Sequence, residues 1–60
     1  MTNRQKVEQL ADWAAEDGDP DVLEACSRAL LGDTFMEEEA LLWWVEWSRI
    51  REQSRLVGSV

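Results

Sequence analysis

The chain has 60 residues, one cysteine, no histidine and a formal net charge of −7. A chain of this length forms at most one small domain, and it buries only about 60% of the surface that its unfolded form exposes. A single cysteine cannot form an internal disulfide. Because the chain also has no histidine, an ordinary structural zinc site is excluded. We therefore expect stability to come from dense packing or from contact with another chain.

The first predicted helix covers residues 3–17. Thr2 and Gln5 have the spacing of a capping box, in which each side chain satisfies a backbone amide at the helix start. Apolar residues then recur at helical spacing until Gly18, which is typical of a helix end. These apolar residues are Val7, Leu10, Ala11 and Ala14.

The second predicted helix covers residues 20–31. Asp19 is expected as its N-cap, and Pro20 suits the first helical position because that position needs no backbone N–H donor. Gly32 is expected to end this helix. Its apolar stripe consists of Val22, Cys26, Ala29 and Leu30.

The third predicted helix covers residues 35–57, with Thr34 and Glu37 as a second capping box. No run of alternating β-branched residues predicts a strand. Connections of two or three residues force neighbouring helices to run antiparallel. The sequence therefore predicts a single all-α domain over residues 1–60, an up-down-up three-helix bundle with a long third helix.

The third helix is apolar on nearly all sides. Met36, Ala40, Trp43, Trp47 and Ile50 share the face that suits the core, where tryptophans would cover an alanine-rich interior. Two short helices cover only one side of such a helix. The apolar residues on its other sides therefore predict a contact with another chain. Residues 50–57 are also expected to extend past the other helices, since about 22 residues span about 33 Å. The predicted association surface consists of Leu41, Leu42, Trp44, Val45, Ile50, Leu56 and Val57.

Negative charge is concentrated in residues 8–39, which hold eleven acidic residues and one base, Arg28. Such a surface should repel nucleic acid and anionic membranes and attract basic protein surfaces. The predicted partner-binding acids are Glu8, Asp12, Glu16, Asp17, Asp19, Asp21, Glu24, Glu37, Glu38 and Glu39.

The electrostatics of the helices explain the positions of some of these acids but not of others. Negative charge at a helix start is stabilising, which accounts for residues 37–39. Glu8, Asp12 and Glu16 instead form a like-charge stripe with one acid every four residues, a mildly unfavourable arrangement. The stripe is either an ordinary solvated face or a functional one. Pairs from the end of the first helix to Arg49 or Arg51 would explain only part of it.

Catalytic and metal-binding patterns are weak. The segment EDGDPD has alternating acids, but a calcium-binding loop that began at Asp17 would need a glycine and a glutamate where Val22 and Arg28 stand. Cys26 lies on an apolar stripe and has no histidine to activate it, so a buried hydrophobic role is expected. We expect no enzyme activity, no metal and no cofactor.

Targeting signals are also not expected. Charged residues near the start are not followed by an apolar segment, and no apolar run reaches the roughly 20 residues that span a bilayer. An unpaired cysteine is compatible with a reducing compartment. These features predict a soluble, cytoplasmic protein.

Two functions remain open. The first is an acidic binding protein that covers the basic, DNA-binding surface of a protein target, because a helical acidic stripe can imitate the charge of duplex DNA. The second is a structural or regulatory homo-oligomer, for example a homodimer, that associates through its tryptophan-rich third helix. In the second case the acidity serves only solubility.

The short chain, its EDGDPD and EEE clusters and its capped helices resemble the small acidic inhibitors of phages and mobile elements, including anti-CRISPR proteins. Several of these inhibitors resemble DNA in surface charge and block the DNA-binding groove of a CRISPR effector. The resemblance implies a protein target with a basic surface, no direct contact with nucleic acid and no contact with membranes.

Overall fold

The computed structural model describes the backbone of residues 1–58 and the side chains of residues 1–53. Three helices form: α1 covers Asn3–Asp17, α2 covers Pro20–Leu30 and α3 covers Thr34–Gly58. No strand occurs in this part of the chain, and each helix contacts the other two. The predicted all-α three-helix bundle is confirmed.

The first two helices start as the sequence predicts. At α1, Thr2 Oγ1 accepts a hydrogen bond from the Gln5 amide at 3.1 Å, and Gln5 Oε1 accepts one from the Thr2 amide at 2.8 Å. At α2, Asp19 Oδ1 accepts from the Val22 amide at 3.2 Å, and Pro20 is the first helical residue. These bonds satisfy backbone donors that have no partner within the helix.

The start of α3 differs from the prediction by one residue. Asp33 Oδ1 accepts a hydrogen bond from the Met36 amide at 3.1 Å, and Thr34 is already helical. The predicted capping box of Thr34 and Glu37 is therefore wrong. Asp33 is at least as good an N-cap as threonine, and its negative charge also interacts favourably with the helix dipole.

Both turns depend on a glycine with a positive φ angle. Gly18 has φ of 70° and Gly32 has φ of 108°, values that side chains disfavour. The amide after each glycine bonds back to the carbonyl five residues earlier: Asp19 to Ala14 at 2.9 Å, and Asp33 to Arg28 at 3.1 Å. This closure stops α2 at Leu30, one residue before the predicted end.

Small side chains dominate the core where the helices meet. Leu10, Cys26 and Ala40 are completely buried. The tryptophans lie around this interior, partly buried and packed against it. The alanines let the helices approach closely, and the indole rings cover the edges, which is the arrangement expected for Trp43 and Trp47. The buried core residues are Val7, Leu10, Ala14, Val22, Ala25, Cys26, Ala29 and Ala40.

Helix α3 is longer than either neighbour and is shifted along them. Its early residues Met36 and Trp43 line a groove with α2, whereas Arg51 lies over the ring of Trp13 on α1. Residue 50 is therefore still level with α1. The prediction that residues 50–57 extend past both other helices is wrong for residues 50 and 51. The shift arises because α3 starts directly after the short turn and must first run back along α2.

We predict that Asp33→Ala lowers the free energy of unfolding by about 1 kcal/mol, because it removes the N-cap of α3. Thr34→Ala is the matched control and should cost less, since Thr34 already lies within the helix. Urea unfolding followed by circular dichroism measures both variants. A larger loss for Thr34→Ala would show that the threonine is the true cap.

Candidate interaction surfaces

The acidic stripe of α1 faces solvent. Glu8, Asp12 and Glu16 are all exposed, and they lie on the side of the helix opposite Leu10 and Ala14, which are buried. The stripe is thus an outer face of the bundle. Its carboxylates are available to a partner without any change in the fold.

Two acids of the stripe have an arginine partner. Arg4 Nε lies 3.1 Å from Glu8 Oε1, and Arg51 Nη2 lies 3.6 Å from Glu16 Oε2. The second pair joins the end of α1 to Arg51, one of the two arginines of α3 that were predicted as partners. Asp12 has no ion pair among the side chains that the structure describes. These pairs are exposed, so each contributes little stability and reduces the like-charge repulsion only modestly.

The other predicted acids occupy different surroundings. Asp19 caps α2, and Glu24 accepts a hydrogen bond from Arg28 at 3.0 Å. Glu37 and Glu39 are half-buried at the start of α3. The structure does not unite the ten acids on one face, because α1, α2 and α3 present theirs in different directions. The exposed members are Glu8, Asp12, Glu16, Asp17, Asp21, Glu24 and Glu38.

A cation lies over a tryptophan at two places between α1 and α3. Lys6 Nζ of α1 is 5.0 Å from the ring centre of Trp44 on α3, and Arg51 Cζ of α3 is 4.6 Å from the ring centre of Trp13 on α1. Trp44 Nε1 also donates to Gln9 Oε1 at 2.9 Å. Both helices advance in the same direction between these contacts, so α1 and α3 are parallel. Sequence patterns did not identify them because each contact joins residues far apart in the chain.

The predicted apolar association surface divides in two. Leu41 and Trp44 are partly buried and pack against the core, so their assignment to an uncovered face is wrong. The prediction placed Leu41 too far outward because the residue pattern of α3 alone does not show how much of its surface the other helices cover. Leu42, Val45 and Ile50 are exposed, and for Ile50 this contradicts its other predicted place in the core. The side chains of Leu56 and Val57 lie outside the described residues.

Phe35 is an exposed apolar residue of α3 that the sequence analysis did not select. Its side chain is 64% exposed, close to the 67% of Leu42. The spacing of seven residues between them is the signal that could have identified it, because that spacing returns to the same helical face. The exposed apolar face of α3 therefore starts about two turns earlier than predicted.

Cys26 is a buried thiol within the core. Its side chain is inaccessible to solvent, and burial raises the pKa of the thiol above its ordinary value. A raised pKa keeps the sulfur protonated at neutral pH and lowers its nucleophilicity. This environment suits a small packing residue.

Metal and small-molecule chemistry find little support in the described residues. Within this part of the chain, no group of three His, Cys, Asp or Glu side chains could hold a metal ion. A groove lined by Trp13, Ser48, Arg51 and Glu52 has a volume of about 330 Å³, but it is open to solvent. It lacks the depth that encloses most of a small ligand. No described helix is both long and apolar enough to cross a membrane.

Comparison of the chain with protein-family models, with curated proteins and with solved structures gave no match. The two candidate sites on the molecule are the surfaces described above, the acidic face of α1 and the exposed apolar face of α3.

We predict that Arg51→Ala lowers the free energy of unfolding by about 1 kcal/mol, because it removes a cation–π contact and the packing of the arginine stem on Trp13. Glu16→Gln, which removes only the exposed ion pair, should cost less than about 0.5 kcal/mol. Urea unfolding of both variants measures the difference. Equal losses would show that the ion pair, and not the ring contact, holds Arg51.

We predict that stability falls as the pH rises through about 8.5, where a solvated thiol is half ionised. The unfolded chain then loses the Cys26 proton while the folded chain keeps it, because burial raises the folded-state pKa. The thiol contribution is fully present below the unfolded pKa and is lost as the pH rises toward the folded pKa. Cys26→Ala should show a shallower decline in urea unfolding between pH 8 and 10. Identical pH profiles would contradict the assignment.

Proposed function

We propose that this protein is a non-enzymatic binding protein that inhibits a nucleic-acid-binding target by covering its basic DNA-binding surface. The resemblance to anti-CRISPR inhibitors makes CRISPR effectors the target class to test first. The observation that carries the proposal is the exposed acidic stripe of α1, which neither the core nor a helix cap requires.

Charge density supports a target surface that normally binds DNA, with one condition. Residues four apart on a helix are about 6 Å apart along its axis, whereas one strand of duplex DNA has a charge about every 3.4 Å. The stripe alone thus carries about half of the charge density of one strand. Asp21 and Glu24 of α2 line a groove with α3 and present their charge in another direction. The condition is therefore that the α1 stripe binds the target at this lower charge density.

The arginine partners of the stripe are compatible with this role. Arg4 and Arg51 hold Glu8 and Glu16 in exposed pairs that water and salt screen. A target arginine that approaches a carboxylate with two parallel hydrogen bonds forms a stronger contact than either of these single ones. The existing pairs therefore restrict the orientation of the carboxylates, but a target arginine can still replace Arg4 or Arg51 as their partner. Asp12, at the centre of the stripe, is available without any exchange.

Homo-oligomerisation through α3 is the second candidate function. The exposure of Leu42 and Val45 favours it, since adjacent apolar residues on an outer face are typical of a contact surface. The two functions use different faces of the bundle and do not exclude each other.

We predict that the double variant Glu8→Lys/Asp12→Lys weakens target binding severely, because it reverses charge at the proposed contact. The charge-matched control is Glu46→Lys/Glu52→Lys, which makes the same change of charge at exposed positions of α3. The target is first isolated from the native host with the wild-type protein as bait and then purified. Its affinity for both variants, and its DNA binding with and without the inhibitor, are measured over a salt series.

The proposal expects three results. The α1 variant binds much more weakly than the α3 control, added salt weakens the complex steeply, and the wild-type protein competes with DNA for the target. Equal affinities of the two variants, or a target that binds DNA unchanged in the complex, would refute it.

A further inference from the structure

The outward face of α3 has a regular pattern of apolar and charged residues. Positions separated alternately by three and four residues lie on one side of a helix, as in a coiled coil. On α3 these positions are all exposed, with Leu42 67% and Val45 43% accessible. We call this set the outer seam. Its members are Phe35, Glu38, Leu42, Val45, Arg49 and Glu52.

The chain's own helices leave the outer seam uncovered. Trp43 is directed to the groove with α2, and Trp44 and Arg51 contact α1. The seam lies on the remaining side of α3. Two of its residues, Leu42 and Val45, form an adjacent apolar pair at its centre, and both remain exposed to solvent.

We propose that a second copy of this chain docks on the outer seam with its own α3 antiparallel to the first. In this arrangement Leu42 of each copy packs against Val45 of the other, and the two-fold axis passes between residues 43 and 44. A two-fold contact uses the same surface twice, so one apolar pair on the sequence becomes a cluster of four side chains.

Charge complementarity selects this register. When Leu42 is opposite Val45, Glu38 of one copy comes opposite Arg49 of the other, and the symmetry forms this pair twice. Neither residue has an ion pair among the described side chains of its own chain. A parallel arrangement would instead place Glu38 opposite Glu38 and Arg49 opposite Arg49, which is repulsive.

The neighbouring antiparallel registers are less favourable. A shift of one step along the seam puts Leu42 opposite Leu42 but Val45 opposite Glu38. A shift the other way puts Val45 opposite Val45 but Leu42 opposite Arg49. Each buries a charge against an apolar residue without a partner. In the proposed register the remaining pair joins Phe35 and Glu52 at the two open ends, where the carboxylate stays in water.

The proposed dimer is a weak one. From Glu38 to Arg49 the seam extends about 16 Å along the helix, so the contact is smaller than a standard stable interface. The two acidic chains also repel each other through their net charges of −7. Association should therefore depend on protein concentration, and the acidic stripe of α1 stays accessible in both copies.

Sedimentation of the full chain over a series from low micromolar to near-millimolar concentration tests the proposal. We expect reversible dimerisation, and we expect Leu42→Ser/Val45→Ser to remain monomeric. Both positions are exposed, so circular dichroism should show unchanged helicity in this variant. A wild-type chain that is monomeric throughout the series would overturn the proposal.

Charge exchange tests the antiparallel register. Glu38→Arg and Arg49→Glu each turn two attractive contacts into two repulsive ones, and each should weaken dimerisation about tenfold. The first variant makes the chain less acidic by two charges and the second makes it more acidic by two, so a net-charge effect would move them in opposite directions. The double variant Glu38→Arg/Arg49→Glu restores both pairs and should restore the wild-type affinity.

The matched controls are Asp12→Arg and Arg4→Glu on α1, which make the same charge changes away from the seam and should not show this pattern. Single variants that dimerise like wild type, or a double variant that stays weak, would overturn the antiparallel arrangement. A monomeric wild type whose Leu42→Ser/Val45→Ser variant loses the basic target would assign the seam to that target instead. The result does not depend on the proposed inhibitory function.

Discussion

The close approach of three helices at small side chains is the constraint on which the structure depends. Ala14, Ala29 and Ala40 let the helix axes come near one another, so eight buried residues suffice for a core among the 53 residues whose side chains the structure describes. Alanine alone buries little apolar area, and the partly buried tryptophans supply what is missing at the edges. A core of this kind has no spare volume for larger residues, because an added methylene group at a helix crossing pushes two backbones apart.

The distribution of charge follows from this packing. Since the interior has room only for small apolar groups, the thirteen acids and the five bases whose side chains the structure describes lie at or near the surface. Arg51 and Lys6 lie against tryptophan rings, where their long apolar stems cover aromatic surface. Arg51 thus does two things: it shields an edge of the core, and its pair with Glu16 moderates the repulsion between acids on α1.

Local signals in the sequence were sufficient for the helices and insufficient for their mutual register. Caps and glycine turns depend on residues within six positions of each other, and they predicted α1 completely and the other helices to within one residue. The level of α3 against α1 depends on Trp13 and Arg51, which are 38 residues apart, and no periodicity reports such a contact. Leu41 was misplaced for the same reason. The exposed positions of the acidic stripe followed from helix geometry alone, whereas its arginine partners required the tertiary structure.

The burial of Cys26 changes what a solitary cysteine says about the environment of this protein. A thiol shielded on all sides by α1, α2 and α3 cannot be reached by glutathione or by a second chain while the helices remain packed. The native protein should therefore keep the same covalent form in an oxidising fluid and in a reducing one. An oxidising compartment would modify Cys26 only during synthesis and refolding, when the sulfur is briefly accessible to oxidants.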